Sequence, residues 1–219
     1  MSRLKVGVLI SGRGSNLQAL IDAAADSAYP AEIALVISNR ADAAGLERAA
    51  RAGVAHLMIP HPSREAFAEA ADAALRRHGV GLVALAGYMR ILDTGFVEGW
   101  RDRLVNIHPS LLPAFPGLHP QRQALAAGAR FSGCTVHFVR AQVDTGPIIA
   151  QAVVPVLDSD EEESLAARIL EAEHRLYPLA VRLFAEGRLK ILGNRVAIAG
   201  AGARDATVFN PEALASASG

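Results

Sequence analysis

The chain of 219 residues is 51% hydrophobic and 20% charged, and its 22 Lys+Arg balance 22 Asp+Glu to a formal net charge of zero. That size suits one well-packed domain and is short for two, the balance offers no basic excess for a nucleic-acid partner, and charges interrupt every apolar run before it could span a bilayer. The single cysteine, Cys134, cannot close an internal disulfide, which fits a reducing, cytoplasmic setting.

The opening MSRLKVGVLISGRG mimics a signal peptide, but Gly12-Arg13-Gly14 ends its apolar run after about six positions, below the ~7–15 of such a segment. It reads instead as a strand over Leu4–Ile10, a glycine-rich turn over Ser11–Asn16 and a helix over Leu17–Ala25. Leu17, Leu20, Ile21 and Ala24 recur at helical spacing, and Ser15 or Asn16 is the expected cap. Backbone N–H groups at such a helix start suit a phosphate, although glycines in this place also serve turn geometry alone. As a dinucleotide fingerprint the stretch is poor. Leu17 stands where the third glycine belongs, and the second strand, Glu32–Ser38, ends in Asn39-Arg40 rather than an acid. Arg40 could read the extra phosphate of NADP, which keeps a dehydrogenase open at this point.

Ala41–Ala52 reads as a helix closed by Gly53, and Val54–Ile59 as a third strand. Ser63 caps a helix through about His78, with Phe67, Ala71, Ala74 and Leu75 inward. Arg64 opens that helix against its dipole, a placement that hints at a ligand. Val80–Ala86 is a continuous apolar run and so a central strand; Gly87–Leu92 leaves it, and a short helix runs through Phe96 to Trp100. Leu104–Ile107 is the next strand. Asn106 and His108, two apart in extended chain, leave one face together, and Pro109, Pro113, Pro116 and Gly117 keep the chain beyond them irregular. Alternating strands and helices to this point imply a parallel sheet covered on both faces.

The pattern then changes. A short helix ends over Ala124–Gly128, and Phe131–Arg140 alternates, with Thr135, His137 and Val139 on one face and Cys134, Val136 and Phe138 on the other. A turn over Ala141–Gly146 returns the chain as Pro147–Val156, so these strands are antiparallel. The acidic run Asp158–Glu163 opens a helix to about Ala185, packed through Leu165, Ile169, Leu176, Leu179 and Leu183, and Gly193-Asn194 turns a small hairpin of Leu189–Leu192 and Val196–Ile198. The expected fold is therefore one α/β domain over residues 1–200. It has a mixed sheet, parallel and Rossmann-like first and antiparallel late, with helices on both faces and a loosely held tail over 201–219.

Asp144, in Val143-Asp144-Thr145-Gly146-Pro147, is either a plain turn former or a carboxylate that the hairpin carries to the strand end bearing Asn106 and His108. In the second case it favours the charged imidazole, and an imidazolium beside an amide can stabilise an oxyanion and supply a proton. That trio suits acyl transfer to an amine. There is no G-x-S-x-G elbow, and Cys134 sits mid-strand, so no covalent nucleophile is indicated. The seven histidines form no H-E-x-x-H or Cys-paired pattern that would bind a metal.

Beyond single residues, S-G-R-G-S-N-L-Q, G-Y-M-R-I-L, N-I-H-P-S-L-L-P, F-P-G-L-H, V-H-F-V, D-T-G-P-I-I and E-H-R-L-Y-P together resemble the folate-dependent formyltransferases, and among them the phosphoribosylglycinamide formyltransferases of purine biosynthesis. The resemblance implies transfer of the formyl group of 10-formyltetrahydrofolate to the amine of 5-phosphoribosylglycinamide. It implies small-molecule substrates, no metal, no nucleic-acid or membrane partner, and a monomer or homodimer. By position it assigns Asn106, His108 and Asp144 to catalysis. It assigns Gly14, Ser15 and Asn16 to the ribonucleotide phosphate and Glu173 to its ribose. Arg64, Met89, Arg90, Ile91, Leu92 and Asn106, with the 140–144 loop, would form the folate pocket. Leu170 and Gln121 depart from the family pattern on the ribonucleotide side.

Overall fold

The computed structural model describes residues 3–202 and 207–210. Strand β1 (Leu4–Ile10) lies at the middle of the parallel part, with β2 (Ala31–Ser38) and β3 (His56–Met58) on one side and β4 (Leu82–Leu85) and β5 (Leu104–His108) on the other. Antiparallel β6 (Phe131–Phe138) and β7 (Ile148–Pro155) continue the sheet. Strands β8 (Leu189–Leu192) and β9 (Arg195–Ile198) finish it, giving the order β3-β2-β1-β4-β5-β6-β7-β9-β8. The small terminal hairpin thus extends the main sheet, because β9 pairs with β7 in parallel at Ile148 and Arg195.

Side-chain alternation sends β1 into two cores. Val6, Val8 and Ile10 enter one with α1 (Ser15–Ala25), α2 (Ala44–Arg51), α5 (Pro120–Ala126) and α6 (Glu162–Ala185). Leu9 enters the other, beneath α3 (Arg64–Arg77) and α4 (Thr94–Gly99). Each fully buried Leu, Ile or Phe in these layers contributes about 1.5–3 kcal/mol. The expected α/β sandwich with helices on both faces is what forms.

Several boundaries differ, for local reasons. Strand β3 keeps only His56–Met58, all exposed, because it is the sheet's edge and pairs on one side alone. Helix α2 begins at Ala44 rather than Ala41, since Asp42 turns back to hold Arg40. Neither Ser15 nor Asn16 caps α1. Gly14 does so in the left-handed region, at φ 71° and ψ 33°, without a side-chain bond. Ser63 caps α3 as expected, accepting from the Ala66 N–H. Leu179 does not pack on the sheet but is exposed, whereas Leu165, Ile169, Leu176 and Leu183 are buried. Much of the 201–219 tail falls outside the described residues; within 207–210, Asn210 donates to the Arg130 and Val156 carbonyls.

The strand order matters for function. From β1 the chain crosses to β2 on one side, and from β4 to β5 on the other, so the loops leaving β1 and β4 diverge. Such a switch point opens a crevice at the carboxyl ends of the strands.

Candidate active site

Strand β5 delivers its last residues to that crevice between β4 and β6. In register, Asn106 stands opposite His137 and His108 opposite Thr135. Asn106 Nδ2 lies 3.3 Å from His137 Nε2, and His137 Nδ1 lies 2.9 Å from the Phe138 carbonyl oxygen. A carbonyl only accepts, so Nδ1 carries the proton and Nε2 receives one amide proton of Asn106. The other amide proton has no partner among the described residues and can meet a substrate oxygen.

His108 is buried, 6% exposed, and both its nitrogens face acceptors. Nδ1 is 3.4 Å from Asp144 Oδ2, and Nε2 is 3.0 Å from the Phe115 carbonyl. An imidazolium, which donates from both nitrogens, satisfies both neighbours at once. The strand-end loop that supplies Phe115 is tied down by Thr135 and Gln151. Thr135 Oγ1 donates to the Ser110 carbonyl at 2.7 Å and accepts from the Leu112 N–H, while Gln151 Nε2 donates to the Leu112 carbonyl at 2.9 Å.

Asp144 reaches the histidine from the β6–β7 connection in a left-handed conformation, φ 56°. Gly146 lets that connection fold so tightly: a Cβ there would sit 1.6 Å from the Phe138 carbonyl oxygen. The Gly117 N–H donates to Asp144 Oδ2 at 2.9 Å, and His137 Nε2 stands 3.7 Å from Oδ1. Burial pushes the carboxyl up, but the Gly117 N–H and the His108 charge together hold it below the ordinary carboxylate value. Asn106, His108 and Asp144 therefore meet in one cluster. His137, Thr135 and Gln151 complete the cluster; His137 falls within V-H-F-V, but the resemblance implies a role for none of the three. The signal for Thr135 and His137 was the alternation of β6, which repeats the two-residue spacing of Asn106 and His108 on the neighbouring strand.

A second group forms around the glycine turn. Gly14 packs so closely on α2 that a Cβ would fall 2.7 Å from Gly45 Cα, and the Gly12 carbonyl accepts the Gly45 N–H. Ser15 opens α1, where the first N–H groups lack intrahelical acceptors. Asn16, 9% exposed, donates from Nδ2 to Glu173 Oε2 at 2.7 Å, while its Oδ1 is buried without a partner among the described residues. Tyr177, one turn along α6, donates to the Leu85 carbonyl at 2.9 Å and so holds Glu173 over the strand ends. Burial pushes the Glu173 carboxyl up to about 7, and the Asn16 bond offsets only part of that.

This shift sets a pH dependence. A carboxyl raised from 4.5 to about 7 on folding stabilises the fold below the lower value, and that contribution is lost as pH rises through the higher one. Wild type should therefore lose about 3 kcal/mol between pH 4 and 8 relative to Glu173→Gln, which cannot ionise. Urea titrations of both proteins across that range check it; a pH-independent difference would mean that Glu173 ionises freely in its place.

A third group leaves β4. Tyr88 is buried, Met89 and Ile91 are 68% and 53% exposed, Arg90 is exposed and Leu92 half-buried. His61, Phe67 and Tyr88 stack in sequence, at 5.1 and 5.4 Å between centroids, joining this segment to the start of α3, where Arg64 is exposed. Arg64 and Arg90 make no ion pair among the described residues. Arg40, in contrast, is paired with Asp42 at 2.6 and 2.9 Å, so the cation that could read an NADP phosphate already has a partner. Two concavities, of about 310 Å³ between α3 and α4 and about 800 Å³ around Arg3, Lys5 and Tyr29, are lined by none of the residues of these groups. Cys134 is buried mid-strand and its thiol is pushed up to about 12, so it offers no nucleophile. Among the described residues no three His, Cys, Asp or Glu are grouped to hold a metal, and no helix is long and apolar enough to cross a membrane.

Comparison with known proteins agrees with this geometry. The family described as formyl transferase matches residues 4–181. The phosphoribosylglycinamide formyltransferase of Escherichia coli is 48% identical over 87% of this chain and 92% of its own length. The trifunctional purine biosynthetic protein adenosine-3 of Drosophila pseudoobscura pseudoobscura is 57% identical over 86% of this chain, which spans only 14% of that longer protein. The crystal structure of glycinamide ribonucleotide transformylase 1 from Symbiobacterium toebii superposes with a TM-score of 0.87 at 57% identity, covering 90% of this chain and 94% of that one. The chain therefore belongs to the formyl transferase family, and within it groups with the phosphoribosylglycinamide formyltransferases.

Proposed function

We propose that this protein transfers the formyl group of 10-formyltetrahydrofolate to the amine of 5-phosphoribosylglycinamide, a cytoplasmic step of de novo purine (IMP) synthesis. The observation that carries the reading is the convergence of Asn106, His108 and Asp144 at the end of β5, beside two further groups suited to the two substrates. The phosphate fits the N–H groups of Gly14, Ser15 and Asn16, where the helix dipole favours an anion. The ribose hydroxyls fit Glu173 and the unpartnered Oδ1 of Asn16, two acceptors that need donors. The flat pterin fits the exposed apolar strip Met89–Leu92, with Arg64 and Arg90 beside it for an anionic tail and the 140–144 loop above.

The amine attacks the formyl carbon, and the carbonyl oxygen gains negative charge. The free amide proton of Asn106 and the cationic ring of His108 meet that charge, in a site sheltered from water by burial. Asp144 keeps the ring oriented and charged. His108 Nε2 can then give its proton toward the departing folate nitrogen once the Phe115 carbonyl yields that position, and the proton that the attacking amine loses, relayed through water, returns the ring to its charged form. The step calls on neither a metal nor a covalent enzyme intermediate. Purified protein with 10-formyltetrahydrofolate should form product only when the ribonucleotide is added. Formate released at the same rate without it would make the enzyme a hydrolase and sink the proposal.

A further inference from the structure

We propose that Ser11 is a positioning residue for the folate side of the reaction, holding the segment after β4 in its binding conformation from the root of the phosphate loop. The inference rests on the assignment of Met89–Leu92 to the folate pocket. Its basis is one hydroxyl that joins three strand ends. Ser11 Oγ donates to Asn39 Oδ1 at 2.7 Å, at the end of β2, and accepts the Met89 N–H at 2.9 Å, in the segment leaving β4. Its own N–H donates to the Gly87 carbonyl at 3.2 Å, and the side chain is buried, 8% exposed.

The place is the switch point itself, where the loops from β1 and β4 part. The last backbone bond between them among the described residues is the one from the Ser11 N–H to the Gly87 carbonyl, so nothing regular fixes how residues 88–92 leave the sheet. Ser11 substitutes for a ladder there. Asn39 sets the direction of the hydroxyl proton, which turns the oxygen lone pairs toward Met89, and this decides which backbone groups of residues 89–92 face the pocket. Met89 and Ile91 are largely exposed and get little help from packing, so the segment has few other restraints. Three residues further on, Gly14 belongs to the ribonucleotide side, so one short loop serves both substrates.

Removing the hydroxyl leaves the Met89 N–H without an acceptor and frees the segment. Ser11→Ala should raise KM for 10-formyltetrahydrofolate about 5- to 30-fold, with kcat and the ribonucleotide KM within about twofold. Asn39→Ala, which only releases the rotor, should shift folate KM in the same direction by less, and stands in if Ser11→Ala folds poorly. A folate KM unchanged in the folded variant would overturn the proposal. So would equal losses for both substrates together with a lower Tm, which would make Ser11 a structural strap. Chemical-shift mapping of wild type with a folate analogue separates this from failure of the pocket assignment. Perturbations at 88–92 uphold the pocket and leave Ser11 alone on trial, and their absence overturns the assignment itself.

Discussion

Replacing Asp144 with Asn should slow formyl transfer by about 10²–10⁴-fold with the fold intact, the usual worth of a positioned acid–base or oxyanion group. The amide keeps the shape of the carboxylate, and its oxygen can still accept the Gly117 N–H. What changes is the charge beside His108. The oxygen that the Gly117 N–H holds is also the one 3.4 Å from His108 Nδ1, so the amide oxygen stays toward the ring but no longer carries negative charge. The imidazolium loses its counter-ion, and a cation is no longer favoured where negative charge develops. The loss should fall on kcat, because the substrates touch this ring only in the reacting geometry. Acid stability supplies a second readout. A carboxyl held below its ordinary 3.8 contributes stability above that value, lost as pH falls through the folded pKa, and the variant should lack this contribution. Steady-state kinetics with a circular-dichroism check would decide it. A folded variant within about tenfold of wild-type kcat would return Asp144 to the role of a turn former.

How far the sequence foretold this site depends on the distance over which each signal acts. Strand alternation and helical spacing are local, so the element order from Leu4 to Ile198 could be read directly, and the two-residue spacing already placed Asn106 and His108 on one face. The resemblance then supplied partners from distant segments. Edges and caps were less legible. Strand β3 shrank because only its position in the sheet, not its composition, leaves it with one neighbour. Ser15 and Asn16 looked like caps, but Asn16 turns its amide inward to Glu173, 157 residues away, and no local rule anticipates that bond. Gly45, Thr135, His137 and Gln151 escaped for the same reason. Each matters through contacts made after the sheet has formed, which even the V-H-F-V string around His137 does not announce.

Gly14→Val should cost the fold about 2–4 kcal/mol and nearly abolish ribonucleotide binding while sparing folate binding. Two effects add. At φ 71° a residue with a side chain is strained by about 1–2 kcal/mol, more when β-branched. The new Cβ would also stand 2.7 Å from Gly45 Cα, which is backbone and cannot swing aside, so the loop and α2 must part. That movement breaks the Gly12–Gly45 bond and spreads the N–H groups that open α1, on which a phosphate would depend. Gly12→Ala is the matched control. Nothing lies within 4 Å of a Cβ there and its φ is not left-handed, so stability should change by less than about 1 kcal/mol. For a chain of this size each kcal/mol moves Tm by about 2–4 °C, which a thermal scan resolves easily. Calorimetry well below the variant's Tm should then show ribonucleotide affinity down by about 100-fold or more and folate affinity within a fewfold. Equal losses for the two ligands would mean that Gly14 serves only the turn, and the phosphate would have to be sought elsewhere along the crevice.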